Sequence, residues 1–111
     1  MSGEAAGDWC YETRERLSRL HADVTERLGS ALLMTGRAPD AVDVLESLVM
    51  SDGLNEAASR SLMQARSAIG DRSGAIQEYR RLEGLLRREG FSPPSRETQE
   101  LYRRVQNGAT T

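Results

Sequence analysis

An internal repeat constrains this chain more than any other feature. Gly36 and Gly70 stand 34 residues apart, and six further pairs of like residues recur at the same offset. These pairs are Leu28–Leu62, Ala31–Ala65, Ala41–Ala75, Val42–Ile76, Leu45–Tyr79 and Leu48–Leu82. A period of this length holds two helices and a turn, and such units bury their apolar faces by stacking on one another. The sequence therefore predicts an array of helical hairpins, and the period is that of the tetratricopeptide repeat.

Start and stop signals divide the chain into about five helices. Glycines end helices, Pro39 suits a first turn, and Ser95 suits an N-cap. The predicted helices run from Cys10 to Thr35, from Pro39 to the Ser51-Asp52-Gly53 cluster, from Asn55 to Ile69, from Arg72 to Arg88, and from Ser95 to about Val105. Gln106 to Thr111 is predicted to fray. In the first helix the apolar stripe expected to pack is Leu17, Leu20, Val24, Leu28, Ala31 and Leu32.

Composition agrees with an all-α fold in a single domain. The 111 residues include 13 Leu and 12 Ala but only 7 Val and Ile together, and aromatic residues make up 5%. Helix formers thus outweigh the β-branched and aromatic residues that strands prefer. We expect a flexible N-terminus over 1–8, a tetratricopeptide-like domain over 9–106 and a flexible tail over 107–111. The lone Cys10 and the lack of a leader or a membrane span predict a cytoplasmic protein.

The residue inventory argues against catalysis. All 15 basic residues are Arg, so a phosphate-binding loop that ends in Lys and Schiff-base chemistry are both excluded. One His and one Cys cannot form a zinc site within the chain. His21 flanks the apolar stripe, and no nucleophile is spaced to partner it. The sequence therefore predicts no catalytic residues, no metal site, no cofactor and no enzymatic activity.

Charged residues are interpreted mainly as a solvated surface. The net charge is −2, which gives no general attraction to nucleic acid. Glu15–Arg19 and Asp23–Arg27 have the spacing of exposed ion pairs on a helix. The pairs Arg80-Arg81, Arg87-Arg88 and Arg103-Arg104 allow two interpretations: a phosphate-contacting patch with Tyr102 available for stacking, or a solvated face. The acidic balance of the chain favours the solvated face.

Several motifs resemble the bacterial transcriptional activator domain of SARP-type regulators of antibiotic biosynthesis. The similarity runs from Asp8-Trp9 to Val105 and includes Glu12-Thr13-Arg14-Glu15-Arg16-Leu17. Its most specific part is Tyr79-Arg80-Arg81-Leu82, Leu85-Leu86-Arg87-Arg88-Glu89-Gly90-Phe91-Ser92-Pro93, Ser95-Arg96-Glu97-Thr98 and Leu101-Tyr102. The resemblance implies a tetratricopeptide-like fold, of which this chain corresponds to the later part.

The same resemblance implies a role in transcription through protein contacts. The expected partners are an RNA polymerase subunit or an adjacent regulator domain, with DNA bound only through a separate domain and no membrane. A homo-oligomer is also possible. The alternative is a generic helical-repeat scaffold or an oligomerisation module unrelated to transcription. A neighbouring winged-helix domain in the full gene would favour the first reading.

The phase of the repeat predicts which residues contact a partner. In repeats of this kind the first helix of each pair lines the concave surface. With each terminating Gly at repeat position fifteen, we expect a groove formed by Asp23, Glu26, Ser30, Leu33, Met34, Arg60 and Gln64. Leu33 and Met34 lie off the apolar stripe, so they are expected to contact a partner or to pack on helices upstream of the chain.

Overall fold

The computed structural model describes the backbone of residues 2–108 and the side chains of residues 10–108. Five helices cover this range: α1 (Ser2–Met34), α2 (Ala38–Ser51), α3 (Glu56–Ala68), α4 (Arg72–Arg88) and α5 (Arg96–Gln106). No strand occurs in it, so the all-α prediction is confirmed. The first helix begins at Ser2 rather than at Cys10, and α5 extends to Gln106. Met1 and residues 109–111, parts of the predicted flexible ends, lie outside the described residues.

Two identical turns mark the repeat. Gly36 and Gly70 have φ of +82° and +84°, a backbone conformation that favours glycine. After Gly36 the Arg37 N–H donates to the Leu32 carbonyl at 2.8 Å, and after Gly70 the Asp71 N–H donates to the Arg66 carbonyl at 2.8 Å. This is the Schellman ending of a helix. The two glycines of the repeat thus end their helices in the same way, and α4 ends in this way too, at Gly90 with φ of +80°.

Short polar side chains begin three of the helices. Asn55 accepts from the Ala58 N–H at 3.1 Å and starts α3. Ser95 accepts from the Thr98 N–H at 3.4 Å and starts α5, as predicted. Asp71 likewise accepts from Gly74 at the start of α4. These caps satisfy backbone N–H groups that have no partner inside the helix.

The helices stack in chain order, and alternate helices also meet. Each helix packs on the next, and α1 contacts α3 as α3 contacts α5. One apolar cluster joins α1, α2 and α3 and a second joins α3, α4 and α5. Their buried members are Ala41, Leu45, Leu48, Val49, Ala58, Leu62 and Ala65 in the first, and Met63, Ala75, Tyr79, Leu101 and Val105 in the second. This arrangement puts α1, α3 and α5 side by side.

The packing face of α1 is not the one that the sequence analysis predicted. Most of the predicted stripe is exposed: Leu17 by 59%, Leu20 by 57%, Val24 by 56% and Leu28 by 50%. The opposite side of α1 faces the core through Ala22, Gly29 and Leu33, and of the predicted stripe only Leu32 packs against this cluster. A Cβ placed on Gly29 would lie 2.5 Å from the side chain of Leu45, so only glycine permits this approach of α1 to α2.

Residues at the same repeat positions differ in burial between the two units. Leu28 and Ala31 are exposed, whereas their counterparts Leu62 and Ala65 are buried. The reason is position in the stack: α2 packs on α3 and shares its apolar cluster, whereas no helix within residues 2–108 covers this side of α1. Periodicity identifies an apolar face, but the order of the helices decides whether it is buried.

Candidate interaction surfaces

The first candidate surface lies along α3, which contacts both α1 and α5. The Glu26 carboxylate on α1 accepts a hydrogen bond from the Ser61 hydroxyl on α3 and another from the Ser30 hydroxyl, both at 2.8 Å. All three side chains are partly or fully withdrawn from solvent. Two hydroxyl donors on one carboxylate oxygen stabilise its negative charge, and the bond from Ser61 joins α3 to α1. Glu26 and Ser30, both predicted as groove residues, are in contact in the structure. Ser61 was not among the predicted residues.

Arg60 on α3 makes the corresponding link to α5. Its guanidinium donates to the Thr98 hydroxyl at 3.1 Å and lies 3.5 Å from the Glu97 carboxylate. The Thr98 hydroxyl in turn donates to Glu56 at 2.6 Å, and the Ser95 N–H donates to the same Glu56 oxygen at 2.7 Å. Arg60 was predicted as a partner-binding residue. In the structure its cation is engaged within the chain, between α3 and α5.

The protonation of Glu56 is coupled to this network. Partial burial by itself would raise the pKa of Glu56, but the hydrogen bonds from Ser95 and Thr98 and the charge of Arg60 together hold that pKa below its ordinary value. All of these partners favour the ionised carboxylate. The link between α3 and α5 therefore depends on a charged Glu56.

The remaining groove residues separate into exposed and packed positions. The side of α1 that carries Glu26 also carries Asp23, Ser30 and Met34, because these residues are three or four positions apart. On α3, Gln64 lies one turn after Arg60 and on the same side. We call the surface formed by Asp23, Glu26, Ser30, Met34, Arg60 and Gln64 the inner face. Asp23 is exposed and pairs with Arg27 at 3.3 Å, as predicted. Met34 is 86% exposed at the end of α1.

Leu33 does not belong to the inner face. It is partly buried and packs against the apolar cluster of α2 and α3. Leu33 therefore packs on helices of this chain, whereas the sequence analysis expected it to contact a partner or upstream helices. The error has the same origin as the misplaced stripe: the side of α1 that seemed to lie away from the core is the side that packs.

The residues that sequence reasoning missed are those that join distant helices. Thr98 lies 42 residues from Glu56, and Ser61 lies 35 residues from Glu26. Such separations leave no trace in local spacing. The one usable signal was the repeat itself, which places the helix of Ser61 beside the helix of Glu26.

Tyr102 and two of the six paired arginines make contacts within the chain. The ring of Tyr102 stacks on Tyr79, with centroids 3.9 Å apart and planes 5° from parallel, so that face is occupied. Burial raises the pKa of Tyr79, with a further contribution from the charge of Glu83. Arg81 donates to Glu78 at 2.7 Å and to the Gly53 carbonyl at 3.1 Å. Arg87 lies 3.8 Å from Glu83. Arg81 is thus partly buried in a contact within the chain, whereas the other five paired arginines are exposed, as the solvated-face interpretation expects.

The only histidine lies in a shallow cleft between α1 and the end of α2. The cleft has a volume of about 430 Å³ and is lined by Glu15, Ser18, Arg19, His21, Ala22, Leu48, Ser51 and Asp52. Arg19 lies 3.6 Å from Glu15 there, which confirms the predicted ion pair. Among the described residues, no group of three or more His, Cys, Asp or Glu side chains is placed to hold a metal ion.

A second candidate surface is the exposed apolar row on α1. We call it the α1 stripe and define it as Leu17, Leu20, Val24, Leu28 and Ala31, all of which are exposed. An apolar row of this length on one helix is unusual for a solvent-facing surface and is typical of an interaction site. None of the helices in the described part of the chain has the length and apolar character that a membrane span requires.

Comparison with known proteins agrees with the motifs and the fold. The sequence model of the bacterial transcriptional activator domain matches residues 1–106, nearly the whole chain. No curated protein and no solved structure matches. With the all-α repeat and the residues that the motifs share, this match shows that the chain belongs to the bacterial transcriptional activator domain family.

Proposed function

We propose that the chain is a non-catalytic protein-interaction domain of a bacterial transcription regulator. It contacts RNA polymerase or another domain of the same regulator through the inner face, works in the cytoplasm, and leaves DNA binding to a separate domain. The family supplies the role in transcription activation. The inner face is the observation that carries the proposal, because α1 and α3 present it together and a hydrogen bond from Arg60 to Thr98 ties α3 to α5.

The inner face is preorganised for a protein partner. The bonds of Glu26 to Ser61 and of Arg60 to Thr98 fix α1, α3 and α5 relative to one another. A surface that is already ordered loses less conformational entropy on binding. Met34 is the large apolar residue of this face, and its flexible thioether adapts to varied partners. Asp23 and Gln64 add polar groups around it.

A recruitment assay tests this function. The chain is fused to a DNA-binding protein that cannot itself activate transcription, and reporter output is measured from a promoter that carries the matching site. If RNA polymerase is the partner, the fusion activates. Met34→Asp then lowers activation by more than about fivefold, because truncating an interface anchor weakens binding by about 1 kcal/mol or more.

Met50→Asp is the matched control. Met50 is 84% exposed, almost the same as Met34, but it lies on α2 rather than on the inner face. Equal losses in both variants would show that the inner face is not the contact surface. An inactive fusion would refute contact with RNA polymerase, and co-purification with the DNA-binding domain of the regulator would then test the other partner. Failure of both would leave the scaffold alternative.

A further inference from the structure

We propose that two copies of this chain pair through the α1 stripe, with the two α1 helices antiparallel and a two-fold axis at Val24. This proposal does not depend on which partner the inner face binds, and the two surfaces share Asp23. It starts from the register of the repeat. Val24, Leu28 and Ala31 occupy the positions of Ala58, Leu62 and Ala65, 34 residues later, which are buried under α2.

The equivalence identifies the kind of object that covers the α1 stripe. On α3 these positions pack against a helix, so the same positions on α1 have the geometry of a helix-packing face. The two ends of the stack differ in this respect. The outward residues of α5 are charged, among them Arg96, Glu100 and Arg104, and are exposed to solvent. At the other end α1 presents an apolar row instead.

The spacing of the stripe points to a second copy as the covering helix. Leu20 and Leu28 are each four residues from Val24, and Leu17 and Ala31 are each seven residues from it. The row is therefore symmetric about Val24. In an antiparallel pair Val24 meets Val24, Leu20 meets Leu28, and Leu17 meets Ala31 of the second copy. The last contact sets a large side chain against a small one, which helps the two surfaces to interdigitate.

The charges beside the stripe fit the same arrangement. Asp23 and Arg27 lie on one flank, and the two-fold axis brings Asp23 of one copy close to Arg27 of the other, so that their exposed ion pair extends into a four-residue network. Arg14 and Arg16 fall beside the last turn of α1 of the second copy, which has no basic residue of its own. A cation is favourable beside the carbonyl end of a helix.

Crosslinking tests the register directly. In a Cys10→Ser background, Val24→Cys is expected to oxidise to a disulfide-linked dimer, because the two sulfurs meet at the axis. Leu17→Cys alone is not, because its two copies lie about 20 Å apart along the helices. A mixture of Leu17→Cys and Ala31→Cys restores the crosslink. Crosslinking of Leu17→Cys with itself would indicate a parallel pair and overturn the proposal.

Sedimentation equilibrium tests the association itself. The unmodified chain is expected to be dimeric, and Val24→Glu is expected to weaken the dimer at least about tenfold, because two like charges would meet at the axis. Met50→Asp is the control and should not change the dimer. Helicity by circular dichroism checks that each variant folds. A chain that is monomeric at all accessible concentrations overturns the proposal, and the α1 stripe would then be left as a surface for another protein or for helices upstream of this chain.

Charge exchange provides a test of the flanking network. Asp23→Arg and Arg27→Asp each place like charges together, so each variant alone is expected to dimerise more weakly than the unmodified chain. Mixed in equal amounts, they bring an all-basic flank against an all-acidic one and are expected to form a heterodimer. Failure of the mixture to associate more strongly than either variant alone would overturn the proposed orientation.

Discussion

The hydroxyl of Thr98 donates to the carboxylate of Glu56 at 2.6 Å and joins α5 to α3 across 42 residues of sequence. The Ser95 N–H, which precedes α5, donates to the same carboxylate oxygen at 2.7 Å. One side chain at the start of α3 thus holds the beginning of α5. The last helix is attached to the stack by this polar contact as well as by its apolar side.

This contact predicts a stability that depends on pH. Because the folded-state pKa of Glu56 is lowered, its contribution is complete above the unfolded value, about 4.3 for a free glutamate, and is lost as the pH falls through the folded value. Glu56→Gln is expected to reduce the free energy of unfolding by about 1 kcal/mol at neutral pH. The difference between variant and unmodified chain should shrink below pH of about 4 in denaturant titrations. A difference that is constant down to strong acid would contradict this account.

Two glycines inside helices should respond in opposite directions to alanine. A Cβ on Gly29 would meet buried Leu45 atoms at 2.5 Å, so Gly29→Ala is expected to destabilise the fold by about 1–3 kcal/mol through overpacking. Gly84 on α4 is the control: its new Cβ would meet only the end of the Arg88 side chain at 3.6 Å. Gly84→Ala should therefore stabilise by about 0.5–1 kcal/mol. Thermal melts of both variants give the comparison.

Adjacent residues at the end of α1 should differ in their contribution to folding. Leu33 packs on the first apolar cluster, and Leu33→Ala is expected to lower the free energy of unfolding by about 1–2 kcal/mol, less than for a fully buried leucine. Met34 is exposed, and Met34→Ala should change stability by less than about 0.5 kcal/mol. Chemical denaturation measures both. Equal effects would mean that Leu33 does not pack as described.

A buried carboxylate makes Arg81 important for stability. Glu78 is only 4% exposed, and its ion-pair partner is Arg81. Arg81 also donates a hydrogen bond to the carbonyl of Gly53, which precedes α3. Arg81→Met is expected to destabilise by about 2–3 kcal/mol, because it leaves Glu78 charged and unpaired. Arg80→Met, at the exposed neighbour, should change little.

The double variant Arg81→Met with Glu78→Gln separates the pair from general packing. A neutral Gln needs less compensation in a buried position, so it is expected to recover part of the lost stability. If the second substitution adds its own loss without recovery, the two side chains act independently.

The sequence by itself determined the fold class, the number of helices and most of their ends. Glycines at a 34-residue offset, the Ser95 cap and the Pro39 start are local signals, and local backbone preferences act on them in any tertiary context. The same is true of the exposed pairs Glu15–Arg19 and Asp23–Arg27, whose partners lie one turn apart. Motifs near Tyr79 and Ser95 were enough to indicate the family.

Only the tertiary structure decided which side of α1 is buried and how α5 is held. Gly29 and Leu33 pack because α2 lies against their side of α1. Leu62 is buried because α2 covers it, whereas no described helix covers Leu28, its counterpart in the repeat, and Leu28 is exposed. Burial depends on which helices are neighbours, and periodicity carries no record of that. The bond between Glu56 and Thr98 likewise depends on the stacking of α5 on α3, which no spacing along the chain encodes.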